Sequence, residues 1–526
     1  MISLGLMLSL ILPPTKPHFY QFLHDEWYRL SFHTKFTLFD MVILIAYFAI
    51  LVILATYGIH RYHLVYLYLK HKDNIAKPKA VLEVKPRVTV QLPVYNELYV
   101  VERLIEAACN IRYPKELLQI QVLDDSTDGT DQVAAAAVAK YQQSGFDIKH
   151  IHRTNRHGFK AGALENGLKS ATGELIAIFD ADFIPAPNFL EDVVDYFSDE
   201  QVGMVQVRWG HINREYSFLT QVESVLLDGH FVIEHGGRHS SGRFFNFNGT
   251  AGIWRRTAIE TAGGWQHDTL TEDTDLSYRA QMAGWKFLYL PHIVCPAELP
   301  VEMNSFKSQQ ARWAKGLIQT AIKLLPRIMF SKLPWKIKIE AFFHLTANIS
   351  YPLMIAMSFL LLPAMIVRFT GGWFQMLYID LPLWLASSAS VSTFYLISQK
   401  ALYPDWRMRL KYLPFLMSVG IGLSVSNSKA VMEALLGVKS SFKRTPKYRI
   451  ESKKDRWVTK KYLGRTGVMP MLELCLGAYF VLVVFYAFEN RNYPTIPFLM
   501  LFVVGFTYMG LMSIVHVTLH RWLRGL

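Results

Sequence analysis

Residues 41–59 contain no charged side chain. At about 1.5 Å per residue, a helix of that length covers a hydrocarbon core about 30 Å thick. Comparable apolar stretches recur near the other end of the chain, at 342–367, 381–398, 469–488 and 496–517. Buried backbone in lipid must satisfy its own hydrogen bonds, so these stretches read as membrane helices. A hydrophobic content of 51% and an aromatic content of 14% agree with a membrane class. His60, Arg61, His63, Lys70 and Lys72 follow the first span. Basic residues collect on the cytoplasmic side of membranes, which puts the C-terminal end of this helix in the cytosol.

Residues 1–12 are apolar but short, fitting a partial span or an interfacial piece, and they lack the basic flank and cleavage site of a signal peptide. The stretch 412–435 is ambiguous. Counted as a crossing, it would export the loop 439–465, which carries eleven Lys/Arg against two acidic residues. It is therefore expected to be interfacial or re-entrant, with the loop cytosolic. The expected divisions are 1–35, a possible interfacial segment; 36–72, a span with its basic flank; 73–300, a cytosolic catalytic domain; 301–340, amphipathic interface helices; and 341–526, a membrane region. The formal charge of +13 gathers at membrane boundaries, so lipid and a nucleotide diphosphate are expected partners and nucleic acid is not. Cys109, Cys295 and Cys475 form no CxxC pair, which indicates neither a cysteine zinc site nor a disulfide framework.

Between the apolar ends the pattern changes to short β-rich runs, 87–92, 119–123, 149–152 and 175–179, alternating with helical stretches 98–109, 132–143 and 162–170. This succession predicts an open, mostly parallel α/β sheet inserted between transmembrane helices, with its ligand at the strand C-termini. Three polar clusters fall at those ends: Pro93-Val94-Tyr95-Asn96-Glu97, Asp124-Asp125-Ser126-Thr127-Asp128, and Asp180-Ala181-Asp182. Asp180 and Asp182, two apart on extended chain, can face one diphosphate and a bridging divalent cation, Mg²⁺ or Mn²⁺. An acidic turn capping a helix is the plainer reading of that triplet. Asp125 is assigned to the nucleotide, and Asp124 and Asp128 to turn structure. Lys160, at the start of a helix, suits anionic oxygens.

Thr269 and Glu272 have the spacing of a capping box, so acids there can simply mark a helix start. Asp273 is assigned differently: direct displacement at an anomeric carbon needs a carboxylate to deprotonate the acceptor hydroxyl. Gln309, Arg312 and Trp313 lie at i, i+3 and i+4 and share one helical face, offering a guanidinium for phosphate and a flat ring for a pyranose. Phe247, Asn248, Gly249, Thr250 and Glu272 are placed on the acceptor side, though core packing explains phenylalanines there almost as well. Glu473, inside an expected span, either bonds sugar hydroxyls or sits near the interface.

Taken in order, these motifs resemble the membrane-embedded processive glycosyltransferases of family 2, which include cellulose synthases, hyaluronan synthases and plant cellulose-synthase-like mannan and xyloglucan-backbone synthases. Gln206-Val207-Arg208-Trp209, residues 247–252, residues 284–290 and Glu298-Leu299-Pro300 carry the likeness to the plant group. The resemblance implies a GT-A type domain, nucleotide contacts from Asp125 and Asp180, a metal on Asp182 and a general base at Asp273. It also implies that Gln309, Arg312 and Trp313 frame the donor pyrophosphate and the acceptor end, and that a channel carries the product outward. Phe442-Lys443-Arg444-Thr445-Pro446-Lys447 is similar to the gating loop of cellulose synthases, Phe-x-Val-Thr-x-Lys, with Arg444 in place of valine. On that alignment Thr445 and Lys447 reach the diphosphate.

The expectation is an inverting, metal-dependent polymerase in the plasma or inner membrane. It would extend a β-linked, β-1,4 hexose polymer at the cytosolic face and export it. UDP-glucose is preferred to GDP-mannose as donor. Transfer of one hexose to ceramide or diacylglycerol is the alternative. A transporter or sugar receptor accounts for the spans but not for acidic clusters at three strand ends.

Overall fold

The computed structural model describes residues 37–369, 382–383, 385–440, 444–464 and 467–524. The segment 1–35, with its apolar stretch 1–12, lies outside the described residues. Helix α1 (Leu38–His71) starts at a capping box in which Thr37 and Asp40 exchange hydrogen bonds. Its 34 residues exceed what a bilayer core needs. The surplus is its C-terminal half, where Leu64, Val65 and Leu67 pack with Val232, Ile233 and Phe394.

Strands β1 (Val88–Val94), β2 (Leu118–Asp124), β3 (Asp147–His152), β4 (Leu175–Ile178), β5 (Val202–His211), β6 (Gly252–Arg255) and β7 (Lys286–Ala297) form one sheet in the order β3-β2-β1-β4-β6-β5-β7. β1 pairs in parallel with β2 and β4, β2 with β3, and β5 with β7, whereas β6 is antiparallel to β4 and β5. The mostly parallel α/β sheet expected from the sequence is present. Helices α2 (Val101–Cys109), α3 (Thr130–Gln143) and α4 (Phe159–Leu168) connect its first strands.

Strand alternation sorts the core. Val88, Val90, Leu92 and Val94 enter one apolar cluster with residues of α2 and α3. Thr89 and Gln91 face the other way, where their side chains bond those of Gln119 and Gln121 at 3.0 Å each. Each of these buried side chains keeps at least one hydrogen bond.

Beyond the sheet, α5 (Phe218–Gly229) leads through one π-helical turn, and α6 (Glu272–Met282) precedes β7. The long α7 (Met303–Met329) follows the sheet, then α8 (Trp335–Thr346), α9 (Ser350–Phe369), α10 (Ser390–Leu402), α11 (Leu413–Gly422), α12 (Ser424–Leu435), α13 (Met469–Glu489) and α14 (Ile496–Leu523). Among the described residues four helical stretches are long and apolar enough to cross a membrane: Leu38–His71, Trp335–Arg368, Met469–Glu489 and Tyr493–Leu523. The expected span 381–398 lies partly outside the described residues, and its described part is a π-helical turn followed by the 13 residues of α10. In the ambiguous stretch 412–435 the helical pair is bent by 42° between α11 and α12, as a broken span or a re-entrant loop would be.

Candidate active site

Because β1, β2 and β4 are neighbours and parallel, their C-termini open on one edge, and the three expected polar clusters meet there. Asn96, with a φ of 54°, sits in the left-handed region that favours a short polar side chain. Its N–H donates to Ser126 Oγ and its Oδ1 accepts from the Thr127 N–H, both at 2.8 Å. These bonds lash the loop after β1 to the loop after β2. Pro93, on β1, and Asn96 are half-buried beside them. Asp124 and Asp128 hold the turn as expected, accepting from the N–H groups of Ser126 and Thr130. Burial opposes ionisation of Asp124, but bonds from His150 and Ser126 outweigh it and hold the carboxyl below its usual range.

Asp125 is gripped bidentately by Arg153, which donates to its two oxygens at 2.7 and 2.5 Å. A carboxylate has about four lone-pair sites, so room for a nucleotide contact remains. Nothing in the sequence singled out Arg153 except its position one residue beyond a strand.

Asp180 receives Lys160 Nζ at 2.5 Å, and the same ammonium donates to Gly249 O at 3.0 Å. Burial pushes Asp180 up against the pull of Lys160. Asp182 receives Lys447 Nζ at 2.6 Å, and Lys447 also donates to Glu298 O. The basic loop therefore brings Lys447 to Asp182. Phe442 and Lys443 lie outside the described residues. Tyr448, Ile450 and Trp457 bury themselves around Val301 to anchor the loop. Glu298 accepts from the N–H groups of Tyr448 and Arg449 at 2.9 Å each, a docking role the sequence reading missed. Thr445 is buried, and among the described residues its hydroxyl has no hydrogen-bond partner. Arg444 Nη1 stands 3.2 Å from Glu97 Oε2 without hydrogen-bond alignment, so burial dominates and Glu97 is pushed up to about 8. The replacement of valine by Arg444 thus puts a guanidinium over an expected donor-site carboxyl.

Asp273 opens α6, and burial, then the adjacent Glu272, push its carboxyl up to about 7 against Lys160, the Thr274 N–H and Arg312. Glu272 is itself raised by burial. Gly249 explains how the chain comes so near: its φ is 82°, and a Cβ there would lie 3.0 Å from Asp273 Oδ2 and 3.4 Å from Lys160 Nζ. The expected capping box at Thr269 does not form, since the N-cap is Thr271 and makes no side-chain cap bond.

Gln309, Arg312 and Trp313 lie half-buried on α7. The Arg312 guanidinium is close enough to act electrostatically on Glu272, Asp180, Asp273 and Asp182 together. Gly316 permits this: a Cβ there would stand 2.5 Å from Thr271 Cγ2, so only glycine lets α7 lie against the start of α6.

Asn248 is half-buried beside Gly249 and donates to His230 Nε2 at 2.9 Å, while its buried Oδ1 has no partner among the described residues. Two acceptor-side expectations need correction. Phe247 is fully buried and packs edge-on to Trp254 at 5.7 Å in the core. Thr250 is also buried, and its Oγ1 accepts the Asp180 N–H at 2.9 Å, so it positions that aspartate. Glu473, left open between sugar binding and the interface, is fully buried and bound by Lys307 at 2.6 Å, with Ser513 beside that ammonium at 3.2 Å. It pins α7 to α13 and α14.

A family model described as "Glycosyltransferase like family 2" matches residues 86–316. "Glucomannan 4-beta-mannosyltransferase 7" of Arabidopsis thaliana is 32% identical over 456 residues, which is 81% of this chain and 77% of that protein. The chain belongs to glycosyltransferase family 2. Within this family, "Probable glucomannan 4-beta-mannosyltransferase 7" of Oryza sativa subsp. japonica is 43% identical over 252 residues, covering 47% of this chain and 43% of the rice protein. The chain thus spans less than half the length of that relative. Among solved structures, "Mannosyltransferase PcManGT from Pyrobaculum calidifontis in complex with GDP-Man and Mn2+" is similar at 23% identity and a TM-score of 0.47, covering 74% of this chain and 99% of that one. The sequence-based preference for UDP-glucose has no counterpart in these family 2 relatives, which are named for mannosyl transfer.

Proposed function

We propose that this family 2 glycosyltransferase extends a β-1,4-linked, mannan-type polysaccharide. It would take mannosyl units from a nucleotide sugar, GDP-mannose ahead of UDP-glucose, with inversion at the anomeric carbon. The names of the plant relatives favour mannose. The single observation that carries the chemistry is a carboxyl held near neutrality, that of Asp273, packed against Gly249 and Lys160 beside the strand-end aspartates. A base is most effective when its pKa lies near the working pH.

The acceptor hydroxyl forms its bond to the anomeric carbon and passes its proton to Asp273. The bond to the diphosphate breaks, and the nucleoside diphosphate leaves with the electron pair. Arg312 and Lys160 hold positive charge against the developing diphosphate charge, and Lys447 and Thr445 approach from the loop. Asp125 with Arg153, and Pro93, Asn96 and Glu97, border the nucleotide side; Trp313, Asn248, Gly249 and Glu272 border the acceptor side.

A divalent ion fits the donor set, since the Lys447 ammonium already stands 2.6 Å from Asp182 Oδ2 as a cation in that place. Asp182, with Asp180, would hold Mg²⁺ or Mn²⁺, which when bound neutralises the leaving diphosphate. The basic flank of α1 and the basic loop favour a cytosolic catalytic face, and the spans a route for the product.

Labelled GDP-mannose and UDP-glucose, each supplied with Mg²⁺ or Mn²⁺ to the purified protein, test this reading. The expected product is a polymer degraded by endo-β-1,4-mannanase. A short, organic-soluble glycolipid, or incorporation from UDP-glucose alone, overturns it.

A further inference from the structure

β3 is an edge strand, and it ends in Lys149-His150-Ile151-His152. Residues two apart on a strand face the same side, so His150 and His152 project together. The register sets Asp124 of β2 directly across from His152 and Val122 across from His150. The three side chains therefore share one face at the sheet edge. His150 Nε2 lies 2.9 Å and His152 Nδ1 3.5 Å from the same oxygen, Asp124 Oδ2. One ligand atom from each residue lies within 4.8 Å of the others.

The carboxylate is completely buried, and its other oxygen accepts the Ser126 N–H at 2.8 Å, which fixes its direction. The rings are open to solvent, His150 by 19% and His152 by 38%, so an ion has a way in. Metal–ligand bonds of about 2.0–2.1 Å in a tetrahedral site separate neighbouring ligand atoms by about 3.3 Å. The observed 2.9 and 3.5 Å bracket that spacing.

We propose that Asp124, His150 and His152 form a transition-metal site of the zinc class, with a fourth position left to water. Its two imidazoles separate it chemically from the all-oxygen set of Asp180 and Asp182, because Mg²⁺ prefers oxygen ligands whereas imidazole suits zinc, copper and nickel. Its place in the fold gives it a consequence for the nucleotide side. Asp125 follows Asp124, Arg153 follows His152, and these two make the bidentate pair already described. A bound ion would tie β2 to β3 immediately before that pair.

The test uses the full chain purified in detergent with a tag free of histidine, treated with EDTA, desalted and titrated with Zn²⁺ in excess Mg²⁺. Bound zinc is read by competition with a chromogenic chelator and by the visible spectrum of a Co²⁺-loaded sample. Wild type is expected to hold one zinc more than His152→Ala or His150→Ala, with affinity at that site falling at least about tenfold in either variant, and to give a tetrahedral cobalt band that the variants lack. His152→Ala, the more exposed position, controls for folding through an unchanged melting temperature in metal-free buffer. Equal zinc uptake by wild type and both variants, or no uptake by wild type at micromolar zinc, overturns the proposal.

Discussion

The carboxyl of Asp273, raised to about 7 by burial and by Glu272, makes a quantitative prediction about pH. The ionised form is the working base. With a value of about 7, about one tenth of the enzyme is competent at pH 6, about half at pH 7 and about nine tenths at pH 8. kcat/KM for donor, which reports the enzyme before donor binds, should therefore fall about tenfold from pH 8 to pH 6. An ordinary aspartate near 3.9 would change it by only about 1% over the same range. The assay is the initial rate of labelled sugar incorporation at donor concentrations far below KM, with metal and acceptor saturating. Stability moves the opposite way. The folded value lies above the unfolded one, so the contribution is full below about 4 and is lost as pH rises through about 7. Asp273→Asn removes that loss, so its melting temperature should gain on wild type as pH rises from 4 to 8. A flat rate profile between pH 5.5 and 8 would refute the argument that burial tunes this base.

Gly249→Ala should destabilise the protein by about 1–2 kcal/mol, from its left-handed backbone alone, and cut transfer at least about tenfold by displacing Asp273 or Lys160; denaturation and initial rates check the two parts. Lys447→Met removes the ammonium from Asp182, so half-saturation by Mn²⁺ should fall while KM for donor rises; an unchanged metal titration counts against the shared position. Lys307→Met leaves Glu473 buried and unpaired and should cost about 3–5 kcal/mol, much of it recovered in the Lys307→Met/Glu473→Leu double variant, because a buried pair is expensive chiefly when half of it is removed. Thermal unfolding in detergent distinguishes these.

Much of the first half of the sheet was legible because its strands are short β-rich runs closed by turn residues. The runs 87–92, 119–123, 149–152 and 175–179 correspond to β1–β4 within a few residues. β5 and β7 read in the sequence as motifs and not as strands: β7 contains Pro291 and Pro296, and their pairing carries irregular registers at Val202/Met204 and Val207/Arg208. β6 is four residues long and antiparallel, set by pairing with strands distant in sequence. Within the site, residue types and strand-end positions marked the carboxylates. Their partners were less visible. Arg153 and Glu298 act through contacts that only the folded chain creates, and Arg444, which departs from the motif, has its counterpart in Glu97, far away in sequence. Phe247 was misplaced because a run of aromatics beside glycines suits a sugar platform and a core equally well, and only the backbone direction decides between them.

The most direct measurement compares Asp273→Asn with wild type in two assays on the same purified protein: nucleotide binding by calorimetry and mannosyl incorporation from labelled GDP-mannose. If Asp273 takes the acceptor proton in a cleft whose nucleotide side is built by other residues, the variant should bind GDP within about threefold of wild type while transfer falls by about 10²–10⁴-fold. Transfer within about tenfold of wild type, or joint loss of binding and transfer in a folded variant, would contradict that assignment.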